Sequence, residues 1–204
     1  MRLAHPTRIY IPSANRERAF VLLHGIRDGI DEPYTQELLD ALTLKDQSVT
    51  ALQYPYMDRC ENHTSPELTE ETEVLQQTWE FLKKEHYSHI TVIAKSLGGI
   101  VASHWLKDYP NNDNLDINIM GYVLGDDGVL TEVLSGKLNF VVQGEHDRFG
   151  EASAVRAELA RYGVNGEVIE IIGADHSYRN PADAKDEPEA YQTQAIDEIL
   201  KRIL

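Results

Sequence analysis

A short β-branched run, Ile90-Thr91-Val92-Ile93, breaks off at Ala94-Lys95-Ser96-Leu97-Gly98-Gly99, after which Ile100, Val101, Ala102, Trp105 and Leu106 recur at helical spacing. The run suits a buried parallel strand and the spacing a helix, so the strand must turn directly into the helix at Ser96. Such a turn is strained, lifts the hydroxyl above the sheet, and needs small residues two positions to either side, here Ala94 and Gly98. The helix start behind it contributes unpaired N–H groups and a dipole that favours developing negative charge. Ser96 is therefore a candidate nucleophile. The competing use of a small-Ser-x-Gly turn is a helix cap with Ser96 at the N-cap.

The surroundings of Ser96 weigh against a mere cap. Upstream, Phe20-Val21-Leu22-Leu23 reads as a strand ending in His24-Gly25. Downstream, the apolar strand Leu138 to Val142 leads into Gln143-Gly144-Glu145-His146-Asp147-Arg148-Phe149-Gly150, which sets Asp147 just past a strand end. A further strand, Val168 to Ile172, is followed by Gly173-Ala174-Asp175-His176-Ser177-Tyr178, so His176 falls in a loop. A carboxylate and an imidazole after two later strands are the partners that a serine nucleophile requires. Each has a plainer use: Asp147 as cap of the helix pattern from Ala152 to Tyr162, His176 as a polar loop residue.

The pentapeptide resembles the Gly-x-Ser-x-Gly nucleophile elbow of α/β-hydrolases, with Ala94 in place of the first glycine, and the chain order Ser96, Asp147, His176 is the order in that superfamily. The resemblance implies His176 as general base and Asp147 as the acid that orients it. It also implies backbone N–H groups of Leu97 and Ile26 as oxyanion donors, the latter from the loop after His24-Gly25, with His24 ordering that loop. Asp126, in Leu124-Gly125-Asp126-Asp127-Gly128, follows the preceding strand and is the reserve acid. Within the superfamily the chain looks like the small dienelactone-hydrolase-like group. It is also similar to a set of compact hydrolase-like domains, one of which lies in a scaffold subunit of a histone acetyltransferase complex. Lys95, Gly98-Gly99 and Gln143-Gly144-x-x-Asp147-x-Phe149-Gly150 carry that second likeness.

Strands alternate with helical patterns, which predicts an α/β fold with a mostly parallel, doubly wound sheet of six or seven strands in a single domain over residues 1–204. The expected strands are Thr7–Ile11, Phe20–Leu23, Val49–Gln53, Ile90–Ile93, Ile117–Leu124, Leu138–Val142 and Glu167–Ile172. The expected helices are Pro33–Leu44, Ser65–Lys84, the one after Ser96, Ala152–Tyr162 and Pro188–Ile203. Gly121 inside a strand is compatible with close helix packing. Leu68, Thr72, Leu75, Trp79 and Leu82 form the apolar stripe of the second helix, whose acidic cluster Glu67, Glu70, Glu71 and Glu73 reads as a solvated face rather than a metal site. Tyr54-Pro55-Tyr56-Met57-Asp58-Arg59 reads as a loop whose aromatics either line an acyl pocket or pack over the sheet. No long insertion separates the strands at Ile117 and Leu138, where this fold commonly carries a lid, so no large cap domain is expected and the site should be open.

A net charge of −15 disfavours nucleic acid and anionic membranes as partners and leaves a small-molecule ester or thioester as the expected one. There is neither a signal-peptide core nor an apolar run long enough to cross a bilayer, and the single cysteine, Cys60, fits a reducing compartment, so a cytoplasmic location is expected. Cys60 and His63 sit at no strand end and make a poor nucleophile and base. A Ser-His-Asp set implies no metal or organic cofactor. The expected activity is that of a serine esterase; the second reading is a non-catalytic protein-interaction module on a hydrolase scaffold.

Overall fold

The computed structural model describes residues 8–27, 29–180 and 189–204. Seven strands form one sheet: β1 (Arg8–Ile11), β2 (Arg18–Leu23), β3 (Ser48–Leu52), β4 (His89–Lys95), β5 (Leu115–Met120), β6 (Leu138–Gly144) and β7 (Glu167–Ile171), in the order β1-β3-β2-β4-β5-β6-β7. Among the described residues only β1 runs antiparallel to its neighbour, and every other pairing is parallel. The helices are α1 (Pro33–Leu44), α2 (Pro55–Asp58), α3 (Thr69–Lys84), α4 (Leu97–Asp108), α5 (Ala152–Arg161) and α6 (Glu189–Ile203). Thr7 and Pro188, ends of an expected strand and helix, lie outside the described residues.

Successive side chains of a strand point to opposite faces, and the core divides accordingly. Val21, Leu23, Val92, Ala94, Ile117 and Ile119 pack with α3, α4 and α5 on one face. Phe20, Leu22, Ile93, Met120 and Val142 pack with α1 and α6 on the other. Because both faces of the central strands are covered, these strands are apolar throughout rather than alternating, and that uniform character made them legible in the sequence. β4 lies mid-sheet between β2 and β5, so residues just past its C-terminal end can meet loops from both sides.

Three local expectations are corrected. The strand expected to reach Leu124 stops at Met120, because Gly121 takes φ +64° and the chain leaves the pleat there. The expected loop at Tyr54 to Arg59 contains α2, with Tyr54 and Tyr56 fully buried. The helix expected from Ser65 begins as a 3-10 turn at Pro66–Leu68, and Glu67 and Leu68 adopt left-handed φ values of 55° and 57° before α3 starts at Thr69. From Gly121 to Lys137 the chain carries only the 3-10 turn Thr131–Leu134, so no cap stands there.

The reading of the acidic cluster on α3 as a solvated face is corrected at one member, Glu71. Glu67 is exposed, but Glu71 is fully buried. Its carboxylate accepts the Ser65 N–H (3.1 Å) and the Ser65 hydroxyl (2.5 Å), while Ser65 Oγ accepts the Glu70 N–H (2.9 Å). Serine and glutamate thus satisfy each other and an orphan donor of the first turn, which makes burial of the charge tolerable. The buried stripe is Glu71, Thr72, Val74, Leu75, Thr78 and Leu82, with Leu68 and Trp79 partly buried and packed against the same core. Glu71→Ala is expected to destabilise the fold by about 1–3 kcal/mol, since it strands part-buried Ser65 donors. Urea denaturation measures this, and a change under half a kilocalorie would contradict it.

Candidate active site

Ser96 stands between β4 and α4 with φ 50° and ψ −110°, a conformation that L-residues occupy only when their surroundings impose it. Two contacts do so. The Ser96 N–H donates to Met120 O of β5 (2.8 Å), and Gly98 packs on β2 so closely that a Cβ would sit 2.7 Å from Leu23 O. Ser96 makes no side-chain capping bond to α4. Its hydroxyl is directed instead at His176, with Oγ 2.8 Å from Nε2.

His176 Nδ1 lies 2.7 Å from Asp147 Oδ2. An ionised carboxylate only accepts, so this contact places the proton on Nδ1 and leaves Nε2 as acceptor for the Ser96 hydroxyl. The Asp147 side chain is fully buried, whereas that of His176 retains 15% exposure, so the relay opens to solvent at the histidine end. Asp147 does not cap α5; the N-cap there is Glu151. Its second oxygen, Oδ1, accepts the Phe149 N–H (2.9 Å), which curls the loop around the carboxylate. Asp126 lies exposed on the turn after β5, and the carboxylate at His176 is that of Asp147. Among the described residues no group of three or more His, Cys, Asp or Glu is gathered as metal ligands.

Gln143 is a partner that sequence reasoning passed over. Fully buried near the end of β6, it donates through Nε2 to Asp147 Oδ2 (2.8 Å) and Gly150 O (2.6 Å), and its Oε1 accepts the Tyr122 N–H (2.7 Å). One side chain therefore ties the carboxylate to both loops beside it. The signal available was a glutamine directly after the apolar run Phe140-Val141-Val142, a polar group that has to be satisfied if buried. Tyr178 adds a further brace: its hydroxyl donates to Val142 O (2.8 Å). Burial, and then the charge of Asp147, push this phenol well above its ordinary pKa, so it stays a neutral donor.

The loop after β2 emerges beside Ser96, since Leu23 is in register with Ala94. His24 is fully buried there; Nε2 accepts the Tyr54 N–H (3.2 Å) and Nδ1 donates to Gly25 O (2.6 Å), a neutral tautomer holding the loop in place. Tyr56 donates its hydroxyl to Ile26 O (2.5 Å), so this aromatic fastens the loop rather than lining a pocket. At the loop's far end Lys95 Nζ meets Glu32 Oε1 at 2.5 Å and lies 5.2 Å from the Tyr34 ring centroid, joining the end of β4 to the start of α1. Beyond Ser96, the Leu97 N–H belongs to the first residue of α4, where the helix has no carbonyl to offer it.

A family model describing an alpha/beta hydrolase domain matches residues 16–204. No curated protein matches the chain. Among solved structures, an alpha-beta serine hydrolase homologue from Coxiella burnetii is 10% identical with a TM-score of 0.72, covering 100% of both chains. A serine hydrolase without lid from Xanthomonas campestris is 11% identical with a TM-score of 0.63, covering 98% of this chain and 97% of its own. A candidate dienelactone hydrolase from Klebsiella pneumoniae is 14% identical with a TM-score of 0.66, covering 95% and 90%. At such identities the structures establish a shared fold, while the family match spans nearly the whole sequence. The chain belongs to the α/β-hydrolase family.

Proposed function

We propose that the protein is a serine hydrolase of carboxylesterase type, acting on small ester or thioester substrates through an acyl-enzyme. The observation that carries this reading is the continuous relay from Ser96 Oγ through His176 to Asp147, with heavy-atom separations of 2.8 and 2.7 Å. His176 Nε2 takes the Ser96 proton as Oγ attacks the carbonyl carbon, and Asp147 stabilises the imidazolium that results. The N–H groups of Leu97 and Ile26 hold the oxyanion. Collapse of the tetrahedral adduct expels the alcohol or thiol, which His176 protonates. Water, deprotonated by His176, then attacks the acyl-enzyme, releases the carboxylic acid and restores Ser96.

Three features favour a small substrate acting at an open site: the span from Gly121 to Lys137 without a cap, the part-exposed His176, and Ile26 standing 47% exposed at the loop edge. A scaffold serving only for protein binding has no need of a strained Ser96 or of the buried Gln143 brace behind the acid, and that weighs against the interaction-module reading. Among the described residues no helix is long and apolar enough to cross a membrane. The proposal places the enzyme in the cytoplasm, supported by a composition with one cysteine, Cys60, which is exposed and free.

Ser96→Ala should abolish labelling by a fluorescent fluorophosphonate and lower turnover of p-nitrophenyl acetate by several orders of magnitude, with circular dichroism unchanged. A folded wild-type protein that takes no label would instead favour the interaction module. Gln143→Leu removes a hydrogen bond to a charged acceptor worth about 1.5–3 kcal/mol, so a ten- to hundredfold loss of kcat/KM is expected if it persists in the transition state. Wild-type kcat/KM in that variant would show that Asp147 needs no such support. Tyr56→Phe frees the Ile26 carbonyl and should lower kcat by roughly five- to tenfold, the cost of one neutral hydrogen bond, without altering the melting temperature by more than a few degrees. Steady-state kinetics decides it, and an unchanged kcat would dismiss Tyr56 as a brace.

A further inference from the structure

His176 is held in its own plane by hydrogen bonds at both ring nitrogens, but these leave the ring free to tilt out of that plane. Two contacts restrict this tilt. The first is Gly121. An ideal Cβ on it would lie 2.9 Å from His176 Cε1 and 3.1 Å from Nδ1, nearer than side-chain carbons approach one another. The backbone there is itself tied to the nucleophile: the Met120–Gly121 peptide accepts the Ser96 N–H through its carbonyl (2.8 Å) and donates its own N–H to Val142 O (3.0 Å). The surface under the imidazole is therefore built on the same peptide that positions Ser96. The second contact is Phe149, whose ring meets the imidazole edge-on at a centroid distance of 4.6 Å and an interplanar angle of 67°. Phe149 is anchored through its N–H on Asp147 Oδ1 and its carbonyl, which accepts the Leu124 N–H (2.9 Å).

We propose that Gly121 and Phe149 are positioning residues for His176, the missing Cβ of Gly121 setting how the imidazole approaches Ser96 Oγ and the Phe149 ring holding it there. The closeness that sequence reasoning attributed to a helix against Gly121 belongs to this histidine. A methyl on Gly121 would need the ring to move by about half an ångström to restore an ordinary carbon contact, and a ring so moved cannot keep both of its short hydrogen bonds. The inference rests on the serine-hydrolase reading.

Gly121→Ala introduces two effects at once, a contact with His176 and the strain of a side chain at φ +64°. Gly163 separates them, because it has φ +65° and open space around its would-be Cβ. Gly163→Ala should therefore lose only the thermal stability that this strain costs, and Gly121→Ala at least as much. Only Gly121→Ala should lose kcat on p-nitrophenyl acetate, on the order of a hundredfold, with a parallel drop in fluorophosphonate labelling and an unchanged KM. Phe149→Ala removes a part-exposed side chain from outside the core and should lower kcat severalfold, again without a change in KM. A folded Gly121→Ala with wild-type kcat overturns the proposal. If Gly121→Ala fails to fold, Phe149→Ala decides it: wild-type kcat, or a change confined to KM, overturns the pair. A wild-type protein inert to the fluorophosphonate would refute the serine-hydrolase reading itself, whereas an active wild type beside an equally active Gly121→Ala refutes only this inference.

Discussion

Everything at the site depends on the turn that takes the chain from β4 into α4. A residue at φ 50° and ψ −110° costs of order 1–3 kcal/mol and persists only where its neighbours over-determine it. The neighbours are backbone groups of the two flanking strands: Met120 O receives the Ser96 N–H on one side, and Leu23 packs against Gly98 on the other. A central position in the sheet is what makes both available, since an edge strand would offer only one. The strain thus draws on the cooperativity of the whole sheet rather than on any local preference of Ala-Lys-Ser-Leu-Gly.

From that turn outward the site is assembled by polar groups that are buried and satisfied. Asp147 receives Gln143 Nε2, His176 Nδ1 and the Phe149 N–H, which uses both carboxylate oxygens and leaves little freedom of rotation. In a low-dielectric interior such a network is rigid when complete and costly when one member is missing. The loop after β2 is fastened in the same manner, by His24, Tyr56 and the Lys95–Glu32 pair. A site with no cap between β5 and β6 has few means there of organising itself around a ligand, and a framework preset by buried hydrogen bonds meets that need.

Legibility in the sequence followed the range of the interaction concerned. The strands through Leu22, Val92 and Val141 could be read because their burial on both faces imposes an unbroken apolar composition, and α1 because Pro33 and the leucines after it mark one end and one face. Ser96, Asp147 and His176 could be singled out because each stands just past such a run. Glu71 was misread: its neighbours Glu67, Glu70 and Glu73 suggest a solvated face, while the Ser65 hydroxyl that makes its burial possible comes from before the helix, across a left-handed break. Gly121 was placed in a strand because its flanks are apolar, and nothing local records the positive φ that ends β5 there.

By itself, the sequence determined the α/β alternation, the sheet's parallel character and the three residues whose types and order suit a serine nucleophile with its base and acid. These follow from periodicity and from what must come next along the chain, which are local properties. Only the tertiary structure decided that Asp147 rather than Asp126 meets His176, that Gln143 and Tyr56 brace the acid and the loop after β2, and that Gly121 lies under the imidazole. Most of these facts join the ends of different strands, and the Gln143–Asp147 contact joins a strand to the loop that leaves it, at distances of about 3 Å; that precision is fixed by how the helices and sheet pack and carried by no hydrophobic periodicity.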